Sequence, residues 1–219
     1  MTDNSRFDFW MNWGVQLAVG MGTLLLAAAA VYADAFKAWR VRLSIVIDKP
    51  LGLDQPVVKG IFVDGVQQTV SPTIPARFYQ LRILNRSRWF FAHQTFAWLT
   101  ALERVPIDHR QDPYQWRGEL PLLWQHTDFL PGSRAIGRRS ALADLFAISA
   151  EGILSLQLRN APVGMPTAFT GACELWATVQ ARSDESSSGE YRVHIRWDGK
   201  WEADPKQLTL EFSCKLLDT

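Results

Sequence analysis

Residues 39–47 read WRVRLSIVI, and the spacing of the apolar residues changes at this stretch. Its odd-numbered positions are all apolar, whereas Arg40, Arg42 and Ser44 occupy three of the even-numbered ones. This alternation predicts a β-strand with one buried face, because successive side chains of a strand point to opposite sides. The residues before position 34 show no such alternation, so the chain divides here into a helical part and a β part.

A long uncharged stretch precedes this strand and runs from Gly14 to Ala33. Twenty helical residues rise about 30 Å, which matches the hydrocarbon core of a bilayer. Leu25 lies near the middle of the stretch, and Trp13 and Trp39 stand near its two ends. Because aromatic side chains are favoured at the two membrane interfaces, the stretch predicts a transmembrane helix.

This helix sets the predicted domain boundaries. A short N-terminal segment covers residues 1–12, the helix with its interfacial flank covers 13–38, and a single β-domain covers 39–219. The β-domain follows the helix with almost no linker. Its length of about 180 residues is enough to bury a core without disulfides or metals.

The uncharged stretch also has two alternative interpretations. A cleaved signal peptide would have Val31 and Ala33 at the small-residue positions before its cleavage point. However, Asp3 and Asp8 outnumber Arg6 in the first thirteen residues, whereas a secretory signal begins with positive charge. A buried helix of a soluble domain is rarely apolar all round for this long. A retained anchor is therefore the favoured interpretation.

The charges beside the helix predict its orientation. Arg6 is the only Lys or Arg on the N-terminal side, whereas Lys37, Arg40, Arg42 and Lys49 follow on the C-terminal side. The positive-inside rule then places the C-terminal domain in the cytoplasm. We expect a single-pass protein of the bacterial inner membrane with its N-terminus outside.

Gly14, Ala18 and Gly22 form a stripe of small residues along the predicted helix. Positions four apart lie on the same helix face. Small residues on such a face let two membrane helices approach closely, so the stripe is a candidate surface for a homo-oligomer, although small residues are common in membrane helices in general. Membrane lipid around the helix is the other partner that the stretch implies.

Short alternating stretches separated by turns fill the rest of the chain. Strands are predicted at 59–70, 76–85, 88–102, 120–124, 143–149, 153–159, 173–183, 191–197 and 208–216, with a tight hairpin turn at Asp64-Gly65. Residues 103–119 and 131–140 are predicted to be connecting loops. Frequent short strands without intervening helices predict an all-β, antiparallel β-sandwich.

Part of this β-domain resembles a known family. Residues 75–205 carry the strand pattern together with Asn85, Pro131-Gly132 and Trp197-Asp198-Gly199. In that order they are similar to the immunoglobulin-like domain of uncharacterised bacterial single-pass membrane proteins. The resemblance implies an immunoglobulin-like sandwich and a membrane anchor, and it implies no activity.

Motifs for catalysis and metal binding are missing from the sequence, which has no GxSxG elbow, HExxH, P-loop or GxGxxG. Cys173 and Cys214 fall on apolar strand faces, where a thiol is usually inert. The 108–112 loop contains His109, but no second cluster completes a metal site. We therefore expect a protein that is not an enzyme, with no catalytic residue, metal or cofactor.

Arginines adjoin aromatic residues in two regions. In residues 77–91 the arginines are expected on the solvent face of a strand and the aromatic residues mostly in the core, which disfavours a nucleic-acid partner. A formal net charge of +1 disfavours it too. Arg134, Arg138 and Arg139 form a second basic cluster, which is a candidate contact for a partner or for lipid phosphates.

These observations predict a non-enzymatic, membrane-anchored interaction module. Its cytosolic β-sandwich would hold or recruit a protein partner through loops or an edge strand, with Trp116 and Trp201 as candidate contacts. One alternative is a membrane effector or sensor whose β-domain senses a ligand or oligomerises and so perturbs the bilayer. Another is an exported envelope-binding domain, which would favour a Cys173–Cys214 disulfide.

Overall fold

A computed structural model of the chain describes residues 4–63, 66–87, 89–107, 112–125, 132–158 and 160–217. The chain divides at Val41 into two compact units, an N-terminal helix and a β-domain. The predicted turn at Asp64-Gly65 lies outside the described residues, and so do Pro131, His109 and the side chain of Trp39.

The N-terminal unit is one helix, α1, which runs from Asn4 to Arg40. Its segment Met11–Ala33 has 23 residues with a mean hydropathy of 1.8, and none of its side chains is buried by the protein. At about 1.5 Å per residue this segment is long enough to cross a bilayer. The helix continues past residue 39, so the strand predicted from Trp39 begins only at Leu43. Alanines at positions 33, 35 and 38 favour this longer helix, because alanine has the highest helix propensity.

The β-domain contains thirteen strands within the described residues. They are β1 (Leu43–Ile47), β2 (Leu53–Val63), β3 (Val66–Asn85), β4 (Ala92–Val105), β5 (Tyr114–Pro121), β6 (Leu123–Trp124), β7 (Arg134–Ile136), β8 (Ala141–Ser149), β9 (Ile153–Leu156), β10 (Ala168–Thr170), β11 (Cys173–Arg182), β12 (Tyr191–Trp197) and β13 (Leu210–Leu216). All their pairings are antiparallel.

The strands form two sheets. The seven-stranded sheet has the order β1-β3-β8-β9-β10, with β2 also paired to β3 and β6 to β8. The six-stranded sheet has the order β13-β12-β11-β4-β5, with β7 also paired to β4. In the first sheet β3 is the longest strand, and it pairs with β2, then β1, along one edge and with β8 along the other.

Buried apolar residues from both sheets form one core. On β11 the residues at odd positions from Cys173 to Ala181 are all buried, as the alternation predicts. The rings of Tyr79 and Phe146 stack with their centroids 4.6 Å apart. Phe212, from the opposite sheet, meets both rings edge-on. The structure therefore confirms an all-β antiparallel sandwich preceded by one helix.

Two regions predicted to be loops contain strands. Most of β5 lies inside the predicted connection 103–119, and β7 lies inside the predicted loop 131–140. Both predictions are wrong, for different reasons. The residues of β5 do alternate, but Pro113 and Gly118 favour a loop there, and β7 has only three residues, too few to show a period. Two candidate contact residues, Trp116 and Arg134, consequently lie on strands.

Candidate functional site

A groove of about 380 Å³ lies on the outer side of the six-stranded sheet. Strands β4, β5, β11 and β12 contribute to it, and its volume is within the range of about 300–1,000 Å³ that is typical of ligand sites. Its lining residues include two tryptophans and charges of both signs: Trp116, Trp176, Glu103, Arg117, Glu190 and Arg192. This mixture of aromatic and charged groups makes the groove the candidate binding site.

Neighbouring strands hold Trp176 in a fixed position. Its cross-strand partner His194 stacks on the indole with ring centroids 4.1 Å apart. The guanidinium carbon of Arg192 lies 4.3 Å from the indole centroid, and Arg192 Nη2 lies 3.5 Å from Oε2 of Glu103. His194 Nε2 lies 3.1 Å from Oε1 of Glu174. Because a cation is attracted to the face of an indole, these contacts restrain the ring between paired charges.

Two bulges shape the floor of the groove. The pairing register shifts between Thr178 and Val179 where β11 meets β4, and between Leu99 and Ala101 where β4 meets β5. The hydroxyl of Thr100 donates to the Thr178 carbonyl over 3.3 Å. A bulge bends its strand and increases the local twist, so the sheet is curved rather than flat at this point.

Trp116 borders the groove on the β5 side, but its side chain points to the inner face of the sheet. It pairs with the buried Leu102 and packs against the core, whereas its neighbours Gln115 and Arg117 face outward. Its indole covers Gly118, where an added Cβ would stand 2.5 Å from Cζ2 of the ring, so glycine leaves the space that this ring occupies.

Trp201 lies elsewhere, against the buried side chain of Arg77. Arg77 is 1% exposed, and its guanidinium carbon lies 5.0 Å from the Trp201 indole centroid. Its Nε donates to Oδ1 of Asp54 over 2.6 Å and its Nη2 to the Ala203 carbonyl over 2.8 Å. Burial raises the pKa of neighbouring Tyr79 to about 12. A buried cation must be paired, so this cluster ties the segment after β12 to the other sheet.

Arg134 is separated from the other two residues of the predicted basic cluster. Its guanidinium carbon lies 5.7 Å from the centroid of the Trp124 indole, and its Nη2 donates to the Gln125 carbonyl over 2.9 Å. Arg138 and Arg139 are exposed in the turn between β7 and β8. The predicted cluster therefore divides into one arginine with partners inside the domain and two that face solvent.

The loop between β3 and β4 exposes two aromatic residues that were expected in the core. Trp89 is 80% exposed and Phe91 is 57% exposed. Together with Arg138 and Arg139 they line a cavity of about 680 Å³. The prediction that the aromatic residues of this region lie mostly in the core is wrong for these two, because β3 ends at Asn85 and its alternation stops there. The prediction that its arginines face solvent is wrong for Arg77, which is buried and paired with Asp54.

The loop between β11 and β12 is tied to the start of β4. His93 donates from its backbone to Oε2 of Glu185 over 2.9 Å, and its Nδ1 lies 2.5 Å from Oε1. Burial raises the pKa of the Glu185 carboxyl, but hydrogen bonds from His93 and Ser183 outweigh it and hold the pKa below its ordinary value. The carboxylate is therefore stabilised in its charged form.

The two cysteines lie too far apart for a disulfide. Cys173 pairs with Trp197 on β12, whereas Cys214 pairs with Val193, four residues away on the same strand. Four residues along the strands and two strand spacings across the sheet place the two cysteine Cα atoms about 16 Å apart. A disulfide requires Cα atoms within about 7 Å of each other. Both thiols are free, and burial raises the pKa of each to about 11. The Cys173–Cys214 bridge expected of an exported domain is therefore excluded.

The groove contains groups suited to holding a ligand. An indole face supplies apolar contact, and its carboxylates and guanidinium groups supply charge-assisted hydrogen bonds. Among the residues that the structure describes, no three His, Cys, Asp or Glu are grouped as a metal site. No protein-family model, curated protein or solved structure matches the chain. The immunoglobulin-like resemblance therefore stays a prediction.

Proposed function

We propose that the chain is a non-enzymatic binding module that holds a protein partner at the bacterial inner membrane. The observation that carries this proposal is the groove around Trp176, on the outer side of a sandwich that follows a membrane-length helix. The excess of Lys and Arg after the helix supports a cytoplasmic β-domain with the N-terminus outside. The uncharged helix surface supports a retained anchor.

An extended segment of the partner fits the groove best. The groove borders β5, which pairs with β4 and is the last strand of its sheet among the described residues. A partner strand added to β5 would form main-chain hydrogen bonds, and alternate side chains would enter pockets beside the sheet. Arg117 and Glu103 would then meet partner charges of either sign.

Site-specific photo-crosslinking in cells tests this proposal. A benzophenone amino acid at Gln115, an exposed β5 position in the groove lining, is expected to give a protein adduct of discrete mass. Trp176→Ala should reduce that adduct about tenfold, since an interface tryptophan contributes at least about 1–2 kcal/mol. The same probe at Ser155, on the other sheet, is the control. Equal adducts at both positions, or an adduct that persists in Trp176→Ala, would contradict the proposal.

A membrane effector that works by clustering is the second candidate. It is favoured by the stripe of Gly14, Ala18 and Gly22, because small residues four apart on an exposed helix let two helices approach closely. Replacing both glycines with leucine is then expected to lower helix dimerisation, whereas Gly20→Leu, off the stripe, should leave it unchanged. Forced clustering of the wild-type helix would make cells leaky if the protein is an effector, and would not if it is a tether.

A further inference from the structure

Exposed aromatic and basic side chains meet at one end of the β-domain. Trp89, Phe91, Arg138 and Arg139, which we call the loop patch, line one cavity whose other residues carry no negative charge. Neither arginine makes an ion pair with any residue that the structure describes. Large exposed apolar side chains beside unpaired cations are typical of an interaction surface.

Hydrogen bonds hold the aromatic loop in this exposed position. Asn85 is 9% exposed, and its Nδ2 donates to the carbonyls of Phe90 over 2.8 Å and Ile136 over 3.0 Å. Its Oδ1 accepts from the backbone of Ser87 over 3.0 Å, and the Ser87 hydroxyl accepts from the backbone of Phe90 over 3.1 Å. The loop therefore presents its aromatic rings without having to order on binding, which lowers the entropy lost in an interaction.

The loop patch lies next to the point where the chain enters the β-domain. The backbone of Arg86 donates to the Arg42 carbonyl over 2.9 Å. Arg42 is two residues, at most about 8 Å, beyond the end of the helix at Arg40. The helical residues after Ala33 rise about 10 Å, close to the thickness of the headgroup layer. Chain geometry alone thus keeps Arg42 near the membrane surface when the helix spans the bilayer.

The charges at this end complement an anionic surface. Arg42 and Arg86 are exposed, as are both arginines of the loop patch. Acidic residues also lie at this end: the Glu185 carboxylate is engaged by His93, and Asp184 beside it is exposed. Among the described residues, four exposed arginines thus face one exposed carboxylate. Arginine pairs well with phosphate oxygens, and an aromatic ring favours the interface between headgroups and acyl chains.

We propose that the loop patch docks on the anionic lipid headgroups of the leaflet from which the helix emerges. The helix and the patch then hold the β-domain at two points, and the groove keeps a defined orientation to the bilayer. Each arginine strengthens the docking equilibrium by about fivefold on an anionic surface. The proposal rests on the retained anchor of the proposed function, and it is independent of what the groove binds.

Lipid photo-crosslinking of the full chain tests this proposal. The chain carries a benzophenone amino acid in place of Phe91 and is reconstituted in vesicles of phosphatidylcholine with or without phosphatidylglycerol. The expected product is a phospholipid adduct, and Arg138→Gln with Arg139→Gln should reduce it at least fivefold in the anionic vesicles. Arg196→Gln with Lys200→Gln, both exposed and outside the groove and the loop patch, is the matched charge control and should leave the yield unchanged. The probe at Gln115 reports background lipid contact.

Three results would overturn the proposal. They are equal lipid adducts at positions 91 and 115, a yield that does not respond to the loss of Arg138 and Arg139, and an adduct with a second copy of the chain in place of lipid. The crosslink from Gln115 to a partner in cells is measured in a separate experiment. If that crosslink forms but the Phe91 probe gives no lipid adduct, the docking surface is rejected and the proposed binding function stands.

Discussion

Replacing Asn85 with alanine should loosen the loop that presents Trp89 and Phe91. The variant removes three hydrogen bonds, two donated by Nδ2 and one accepted by Oδ1, from a residue that is 9% exposed. At about 1 kcal/mol for each bond, we expect a loss of about 2–4 kcal/mol in the free energy of unfolding. Ser87→Ala removes the hydroxyl bond to Phe90 and a long one to Trp89, so its expected loss is about 1 kcal/mol.

Denaturant unfolding of the full chain in detergent micelles, followed by fluorescence, measures these losses, and hydrogen exchange of the 86–91 amides locates them. Asn85→Asp should be at least as destabilised as Asn85→Ala, because a carboxylate replaces a donor that faces two carbonyl oxygens. A loss below about 0.5 kcal/mol for Asn85→Ala, or a larger loss for Ser87→Ala, would refute the account of the loop.

Three further variants or conditions test other parts of the fold. Gly199→Ala should be about 2 kcal/mol less stable than Gly164→Ala; both have positive φ, but an added Cβ meets backbone atoms only at 199. Equal losses in thermal unfolding would contradict the close approach. Glu185→Gln should be less stable than wild type at pH 7 by about 0.5–1 kcal/mol, with the difference disappearing as the pH falls below the ordinary carboxyl pKa of 4.5. A difference that persists in acid denaturation curves would count against it. Alkylation of Cys214 at pH 8 should be about 100-fold slower than that of a thiol of pKa 9.0, as mass spectrometry can measure, and a normal rate would show that the thiol is not buried.

The sandwich was predictable where strands alternate strongly. In β11 every second residue is buried, and the sequence alone assigns that strand and its inner face. Tyr114–Pro121 also alternates, but the segment contains Gly118 and follows Pro113, and these turn-forming residues favour a loop there. The end of α1 was misplaced for another reason: Trp39 and Arg40 satisfy the strand pattern, but the preceding alanines extend the helix over them.

Most of the groove could not be predicted, because register brings its parts together. Trp116 was a candidate from its residue type, but Trp176 gains its partners His194 and Arg192 only through pairing with β12. Sequence periodicity assigns a residue to a face and leaves its cross-strand neighbours undetermined. The exposed Trp89 had a local signal, since Asn and Ser just before it are turn-forming residues that end a strand.

Membrane topology is the most direct test of the central claim, that a retained helix anchors a cytoplasmic β-sandwich. Reporters that are active only in the cytoplasm or only outside it are fused separately to the C-terminus of the full chain, and the mass of the membrane-bound protein is measured. The account predicts an active cytoplasmic reporter and a mass that includes residues 1–33. An active exported reporter, or a protein that begins at Asp34, would contradict it.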